Sequence, residues 1–175
     1  MHATIVQLTR NKHDWQYPVD ENDVFADNQE KFYDGVEERK GDGFKEDVDS
    51  LCASLGEAIV GRGTEKDEDR DVTWIDVDTS KTDHLFKEPF NRFRAAVTKL
   101  SEMDIGMFTA DSDYRVYSAL REIREAYDDD GLHILDTRGY AKPMGEWLRD
   151  IKRDAKREGQ GVIRFYAHAS YDGNQ

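Results

Sequence analysis

The stretch LHILDTRGYAKPMGEWLRDIKRDAKREGQGVIRFYAHASY, residues 132–171, decides the fold class of this chain. It opens with a short apolar run, 132–135, that is typical of a buried strand. Pro143 suits the first turn of a helix. Behind it, apolar residues repeat at helical spacing as far as Glu158: Met144, Trp147, Leu148, Ile151 and Ala155. Apolar and polar residues then alternate over 162–171, which predicts a strand with one exposed face.

The alternation of strands and helices extends upstream to residue 72. The run VTWIDV (72–77) predicts a strand, and Pro89 favours a helix that begins near Glu88. DIGMF (104–108) predicts a further strand, and Ser112 is a candidate N-cap for the next helix. We therefore expect a single α/β domain over residues 1–175, with a mixed sheet and an antiparallel edge strand at 162–171. The order of the strands does not follow from the sequence.

The segment before residue 72 is less regular. Its patterns predict a strand at 3–8, a loop at 11–22, a loose helix at 23–38, a clear helix at 44–60 and a solvated, charged loop at 64–71. The only cysteine, Cys52, lies in the apolar stripe of the clear helix. We interpret it as a small core residue, because no base stands beside it to form a thiolate.

The charge balance narrows the classes of partner. The formal net charge is −13. Residues 1–135 alone sum to −15, whereas residues 136–164 are net positive, with eight Lys/Arg against five Asp/Glu. Such an acidic surface repels nucleic acid and anionic lipid, so we expect neither as a direct partner. A basic protein would be attracted. The basic helix at 143–158 could also dock on the acidic body of a second copy, which would give a homo-oligomer.

Cysteine usage and hydropathy bear on the compartment. One cysteine allows no intrachain disulfide, and no signal-peptide segment or long apolar run is present in the sequence. We therefore expect a soluble, cytoplasmic protein.

Carboxylates stand where several predicted strands end. Asp76 and Asp78 close one strand, and Asp136 and Arg138 follow another. If those strands are parallel, the groups meet at one sheet edge, where α/β proteins tend to bind ligands. Carboxylate oxygens suit Mg²⁺, and an arginine fork suits phosphate. In this interpretation Asp76, Asp78 and Asp136 are catalytic groups, Asp76 and Asp78 bind the metal, and Arg138 binds phosphate.

The words WIDVDTS (74–80) resemble the first motif of haloacid-dehalogenase-type phosphatases, in which two aspartates one residue apart follow a hydrophobic strand. IGMFT (105–109) is similar to that family's second motif, a strand that ends in Thr or Ser. The resemblance covers about a dozen residues and implies a magnesium-dependent phosphatase. The first motif lies in mid-chain here instead of near the start, and only one aspartate, Asp136, is available for the final acidic pair, so we assign no family.

Two hypotheses of function follow. The first is a non-enzymatic acidic protein, similar in character to DNA mimics or immunity proteins. It binds or inhibits a basic protein, such as a DNA-binding protein, and needs no cofactor. Its candidate contact residues are the two acidic runs, which contain Asp67, Glu68 and Asp69 in one and Asp128, Asp129 and Asp130 in the other. The alternative is a Mg²⁺-dependent hydrolase or nucleotide-processing enzyme that uses the strand-end carboxylates. The sequence contains no complete catalytic motif, which favours the first hypothesis.

Overall fold

A computed structural model of the chain describes residues 2–16, 19–27, 35–110, 114–128 and 131–174, without the side chains of residues 2, 27, 128 and 174. The chain forms two compact units. The sheet unit comprises Met1–Thr82 with Asp130–Gln175, and the helical unit comprises Asp83–Asp129. The expectation of one domain over 1–175 stays a prediction.

The described residues form seven strands and six α-helices. The strands are β1 (His2–Thr9), β2 (Val36–Arg39), β3 (Ile59–Asp67), β4 (Arg70–Asp78), β5 (Leu132–Leu135), β6 (Ala141–Pro143) and β7 (Val162–Asn174). The helices are α1 (Glu21–Asp27), α2 (Asp42–Leu55), α3 (Lys87–Ser101), α4 (Ile105–Thr109), α5 (Tyr114–Asp128) and α6 (Met144–Glu158). Short 3₁₀ turns lie at Lys12–Gln16, Gly56–Ala58, Thr79–Lys81 and Asp83–Phe86.

All seven strands join one mixed sheet, which confirms the predicted α/β class. The order is β3-β4-β7-β1-β5-β6, and β2 pairs with β7 outside this path. Strand β7 is antiparallel to β1, β2 and β4, whereas β1 and β5 are parallel. The antiparallel direction of 162–171 is thus confirmed, but its predicted edge position is wrong, because β7 lies between β4 and β1. Alternating apolar and polar side chains indicate that one face of a strand is exposed, but they do not indicate whether the strand lies at the edge of the sheet.

The sheet buries apolar side chains on the helices that cover it. One cluster joins Val24 of α1 to Ile5, Leu135 and Tyr171 of the sheet. On α6 the predicted stripe is buried as a whole (Met144, Trp147, Leu148, Ile151 and Ala155). The Trp147 ring packs against Phe165 of β7 with the ring centroids 5.1 Å apart. Among the described helices, none is long and apolar enough to cross a membrane.

Several predicted elements agree with the structure. The strand at 132–135 has the predicted bounds. The strands predicted at 3–8 and 72–77 are longer than predicted at both ends and are β1 and β4. The helices at 143–158 and near Glu88 are α6 and α3. Each of these segments has a strong apolar period or a proline that marks its start, and those are the most reliable local signals.

Two predicted elements have the wrong type. DIGMF (104–108) is helix α4 instead of a strand, because Asp104 caps it by accepting a hydrogen bond of 2.8 Å from the Met107 amide. The charged segment 64–71 is not a loop but the ends of β3 and β4, joined by a tight turn at Glu68. The cross-strand ion pair Lys66–Asp71, 2.8 Å apart, links the two strands where the sequence lacks apolar residues.

The remaining discrepancies concern element ends. The predicted helix at 44–60 ends at Leu55, and Ile59 already belongs to β3. The predicted helix at 23–38 is interrupted, since α1 ends at Asp27 and Val36 begins β2. The predicted loop at 11–22 contains a 3₁₀ turn and the start of α1. The Ser112 cap lies outside the described residues.

Candidate functional site

The strand-end aspartates that suggested a metal site have local partners. Asp76 on β4 accepts two hydrogen bonds from the Arg164 guanidinium on β7, at 2.7 and 2.8 Å. These bonds hold the pKa of the Asp76 carboxyl below its ordinary value. The same guanidinium lies over the Trp74 ring, 3.9 Å from its centroid. Asp76 is therefore the anchor of an arginine that stacks on a tryptophan.

Asp78 and Asp136 shape the backbone beside them. Asp78 accepts hydrogen bonds from the Ser80 hydroxyl at 2.6 Å and the Ser80 amide at 3.0 Å, which lower the pKa of its carboxyl and cap the 3₁₀ turn at 79–81. Asp136 accepts from the amides of Arg138 at 2.8 Å and Tyr140 at 3.1 Å. Both roles are typical of aspartate in turns.

The sheet order keeps these carboxylates apart. Strands β4, β1 and β5 run in one direction, so Asp78 and Asp136 do lie at the same end of the sheet, beyond the carboxyl ends of their strands. However, β7 and β1 stand between them, and three strand spacings amount to roughly 14 Å. Within the described part of the chain, no group of three or more His, Cys, Asp or Glu side chains could hold a metal ion. Arg138 is an exposed side chain on the turn after β5.

The acidic runs proposed as contact residues are only partly available. Asp67 is 4% exposed, and its carboxylate accepts a hydrogen bond from the Trp15 indole and lies 2.9 Å from His13 Nδ1. It therefore fastens the 3₁₀ turn at 12–16 onto β3. Glu68 and Asp69 are exposed at the tip of the β3–β4 hairpin. The side chain of Asp128, and Asp129 and Asp130 as a whole, lie outside the described residues.

An opening in the sheet lies beside the middle of β7. Strand β4 pairs with β7 as far as Ala167, and β2 begins to pair at Ser170, so His168 and Ala169 face a gap between their ends. The gap forms a cavity of about 320 Å³ with Trp15 and Arg70 in its wall. His168 Nε2 lies 2.9 Å from the Thr9 hydroxyl, and burial lowers the pKa of its imidazole.

The charged side chains around this opening are matched within the chain. Arg39 pairs with Glu46 at 3.0 Å and lies 3.2 Å from Asp47. The ammonium group of Lys40 lies 2.8 Å from the Glu38 carboxylate. The opening therefore shows little surplus charge with which to select a ligand.

A second concavity is strongly acidic, and we call it the acidic groove. It has a volume of about 610 Å³, lies between the start of α1 and β2, and is lined by Val19, Asp20, Glu21, Glu37, Glu38 and Lys40. The described part of the lining thus holds four acidic residues and one lysine, and Lys40 pairs with Glu38. Acidic residues therefore outnumber basic ones among the described residues of the groove.

Strand β7 supports the groove from beside β2. Glu37 on β2 is directly opposite Asp172 on β7. Beneath the groove, the Tyr171 hydroxyl donates a hydrogen bond of 2.6 Å to the Val19 carbonyl. Burial raises the pKa of Tyr171, and the nearby charges of Glu38, Asp20 and Glu21 raise it further.

Parts of the groove also serve the fold. Asp20 accepts a hydrogen bond of 2.8 Å from the Asn22 amide at the start of α1, which lowers the pKa of its carboxyl. Glu21 accepts one of 3.2 Å from the Glu38 amide. Glu37 has an exposed side chain at its position on β2. Sequence reasoning missed the groove, because it predicted a helix at 23–38 in place of the pairing of β2 with β7.

Comparison with known proteins adds no assignment. No protein-family model matches the chain, and neither a curated protein nor a solved structure gives a match.

Proposed function

We propose that this protein is a non-enzymatic binding protein whose acidic groove receives lysine or arginine side chains of a basic protein partner. The observation that supports this proposal is that four acidic residues and a single lysine form the charged part of the described lining of one concavity. Proteins that bind DNA carry such cations on the surface that meets phosphate, so they are the partner class that fits best. The protein would then act by occupying that surface.

The wider charge distribution supports the same partner class. Of the net charge of −13, the helical unit carries −3 and the sheet unit −10. A field of this sign accelerates the encounter with a basic protein and slows that with nucleic acid. Groove and field therefore favour the same kind of partner, one by contact and the other at a distance.

The shape of this surface is a further reason. A charged edge strand that merely prevents aggregation would need no concavity beside it. The magnesium-hydrolase alternative has no comparable support, because Asp76 and Asp136 are not brought together.

The test measures binding of an arginine-rich peptide by calorimetry at low and high salt. The variant Glu21→Gln/Glu37→Gln removes two groove charges and keeps the side-chain shape. If each lost surface ion pair costs about 0.2–1 kcal/mol, the affinity falls roughly 2- to 30-fold. The control Glu88→Gln/Glu102→Gln removes the same charge from the helical unit and should leave the affinity nearly unchanged.

A third variant, Glu68→Gln/Asp69→Asn, separates the groove from the hairpin tip. The proposal expects the tip variant to bind like the control. A loss of affinity in the tip variant alone would place the contact on the hairpin. Equal losses in all three variants would mean that only net charge matters. Either result would refute the assignment to the groove. In a companion assay, the wild type should release duplex DNA from a basic DNA-binding protein, and the groove variant should do so less well.

A further inference from the structure

The helical unit exposes a set of large apolar side chains. Its two long helices, α3 and α5, run antiparallel, because the end of α3 and the first two turns of α5 line one cavity. Lys99 pairs with Glu122, in the middle of α5, at 2.8 Å. Three alanines of these helices, Ala96, Ala119 and Ala126, are buried, and we infer that they lie at the seam between the helices. Several larger apolar residues of both stripes stay exposed.

Those larger residues lie on one side of the helix pair. At 100° per residue, the apolar arc of α3 extends from Ala96 past Phe93 to Val97 and Phe90, away from Lys99. The arc of α5 extends from Ala119 to the same side. We call this surface the open face; its members are 56% (Phe90), 39% (Val97), 64% (Tyr117), 52% (Leu120) and 56% (Tyr127) exposed.

The open face is large enough for a stable contact. Fully exposed aromatic side chains offer about 150–250 Å² each, so the five partly exposed residues present roughly 500 Å². Monomeric proteins rarely expose apolar patches beyond a few hundred Å². Two such faces in contact would bury about 1,000 Å², near the lower limit for a specific protein interface.

The charge around the open face favours a copy of the same chain as the occupant. The helical unit carries −3 of the total of −13, so two copies repel each other least through this unit. The margin of the face is mixed in sign: Arg94 stacks over Phe90 at 5.8 Å, and Arg121 pairs with Glu125 at 3.3 Å. A basic partner would meet these arginines, and an anionic membrane would be repelled by the whole chain.

We propose that two copies of this protein associate through their open faces, so that two α3–α5 pairs form a four-helix bundle with two-fold symmetry. Packing of this kind is common for amphipathic helix pairs, and two-fold dimers are the commonest oligomers. The proposal is independent of the acidic groove. It gives the protein two separate surfaces: an apolar one for its own copy and an acidic one for a partner.

The experiment follows the molar mass by sedimentation equilibrium over a range of protein concentrations. The wild type should form dimers, and added salt should strengthen them because it screens the negative charge. Val97→Glu and Leu120→Glu place a charge on the open face, and each should weaken dimerisation at least tenfold. The control Ala95→Glu adds the same charge to an exposed position on the far side of α3 and should dimerise like the wild type.

Circular dichroism would verify the helix content of every variant, and the use of two variants on different helices guards against a single folding defect. A wild type that stays monomeric at every concentration would overturn the proposal. So would dimers that survive both substitutions, because another surface would then form them. Sedimentation of a monomeric wild type with phosphatidylserine vesicles would assign the face to a membrane instead. The groove variant Glu21→Gln/Glu37→Gln should dimerise normally, which separates this proposal from that of the acidic groove.

Discussion

The substitution Gly63→Ala tests the packing of the Trp74 ring against Arg164, the arginine that Asp76 holds in place. The Trp74 ring lies between Gly63 on β3 and the Arg164 guanidinium on β7, and a Cβ at Gly63 would come within 2.9 Å of Trp74 Cζ2. The ring would have to move toward Arg164, which Asp76 holds with two hydrogen bonds. Overpacking usually costs about 1–3 kcal/mol. Because the ring is half-exposed and alanine favours a strand by ~0.5–1 kcal/mol over glycine, we expect a net loss of about 1 kcal/mol.

Urea unfolding followed by tryptophan fluorescence measures this loss. All three tryptophans, at 15, 74 and 147, belong to the sheet unit, so the signal reports that unit. The control is Gly161→Ala, where a Cβ meets nothing within 4 Å. It should be neutral or stabilising by about 0.5 kcal/mol. If Gly63→Ala is as stable as this control, the stacked arrangement is wrong. In a Trp74→Phe background the smaller ring should absorb most of the cost.

The other predictions use the same fluorescence assay or simple chemistry. Because Arg164 lowers the pKa of Asp76, their ion pair stabilises the folded state above about pH 4, and this contribution is lost as the pH falls. Asp76→Asn should therefore flatten the acidic part of the plot of unfolding free energy against pH. An unchanged plot would contradict the pairing. Asp67→Ala leaves the Trp15 indole without its acceptor and should cost about 1–3 kcal/mol, whereas a contact residue for a partner would be lost without such a cost. Burial raises the pKa of the Cys52 thiol, so alkylation followed by mass spectrometry should be slow at neutral pH; rapid modification would argue against this environment.

The sequence predicted best the elements that carry their own signals. Helix α6 has an unbroken apolar stripe after Pro143, and β5 is a compact apolar run, so both were located correctly. Strand β3 and its turn into β4 were missed, because the outer half of this hairpin carries charged residues, with the cross-strand pair Lys66–Asp71, instead of an apolar pattern. Helix α4 was missed because five residues are too few to distinguish a helical from a strand period.

The candidate site depended on pairings that no local pattern reveals. The antiparallel insertion of β7 separates Asp78 from Asp136, although the predicted parallel arrangement would have joined them. The acidic groove exists because β2 pairs with β7 beside α1, which brings together residues 20–21 and 37–38. The excess of negative charge was evident from the composition, but its location was not. The number of charged residues predicts the sign of the electrostatic field around a protein. The position of a concave site can be found only from the tertiary structure.

The most direct test of the proposed function is a titration of the ¹⁵N-labelled protein with the arginine-rich peptide, followed by amide chemical shifts. We expect saturable shifts concentrated at the groove and at Tyr171 beneath it, and their loss at high salt. The groove residues concerned are Asp20, Glu21, Glu37 and Glu38. Shifts confined to the hairpin tip at 68–69, or spread evenly over every exposed carboxylate of the chain, would contradict it.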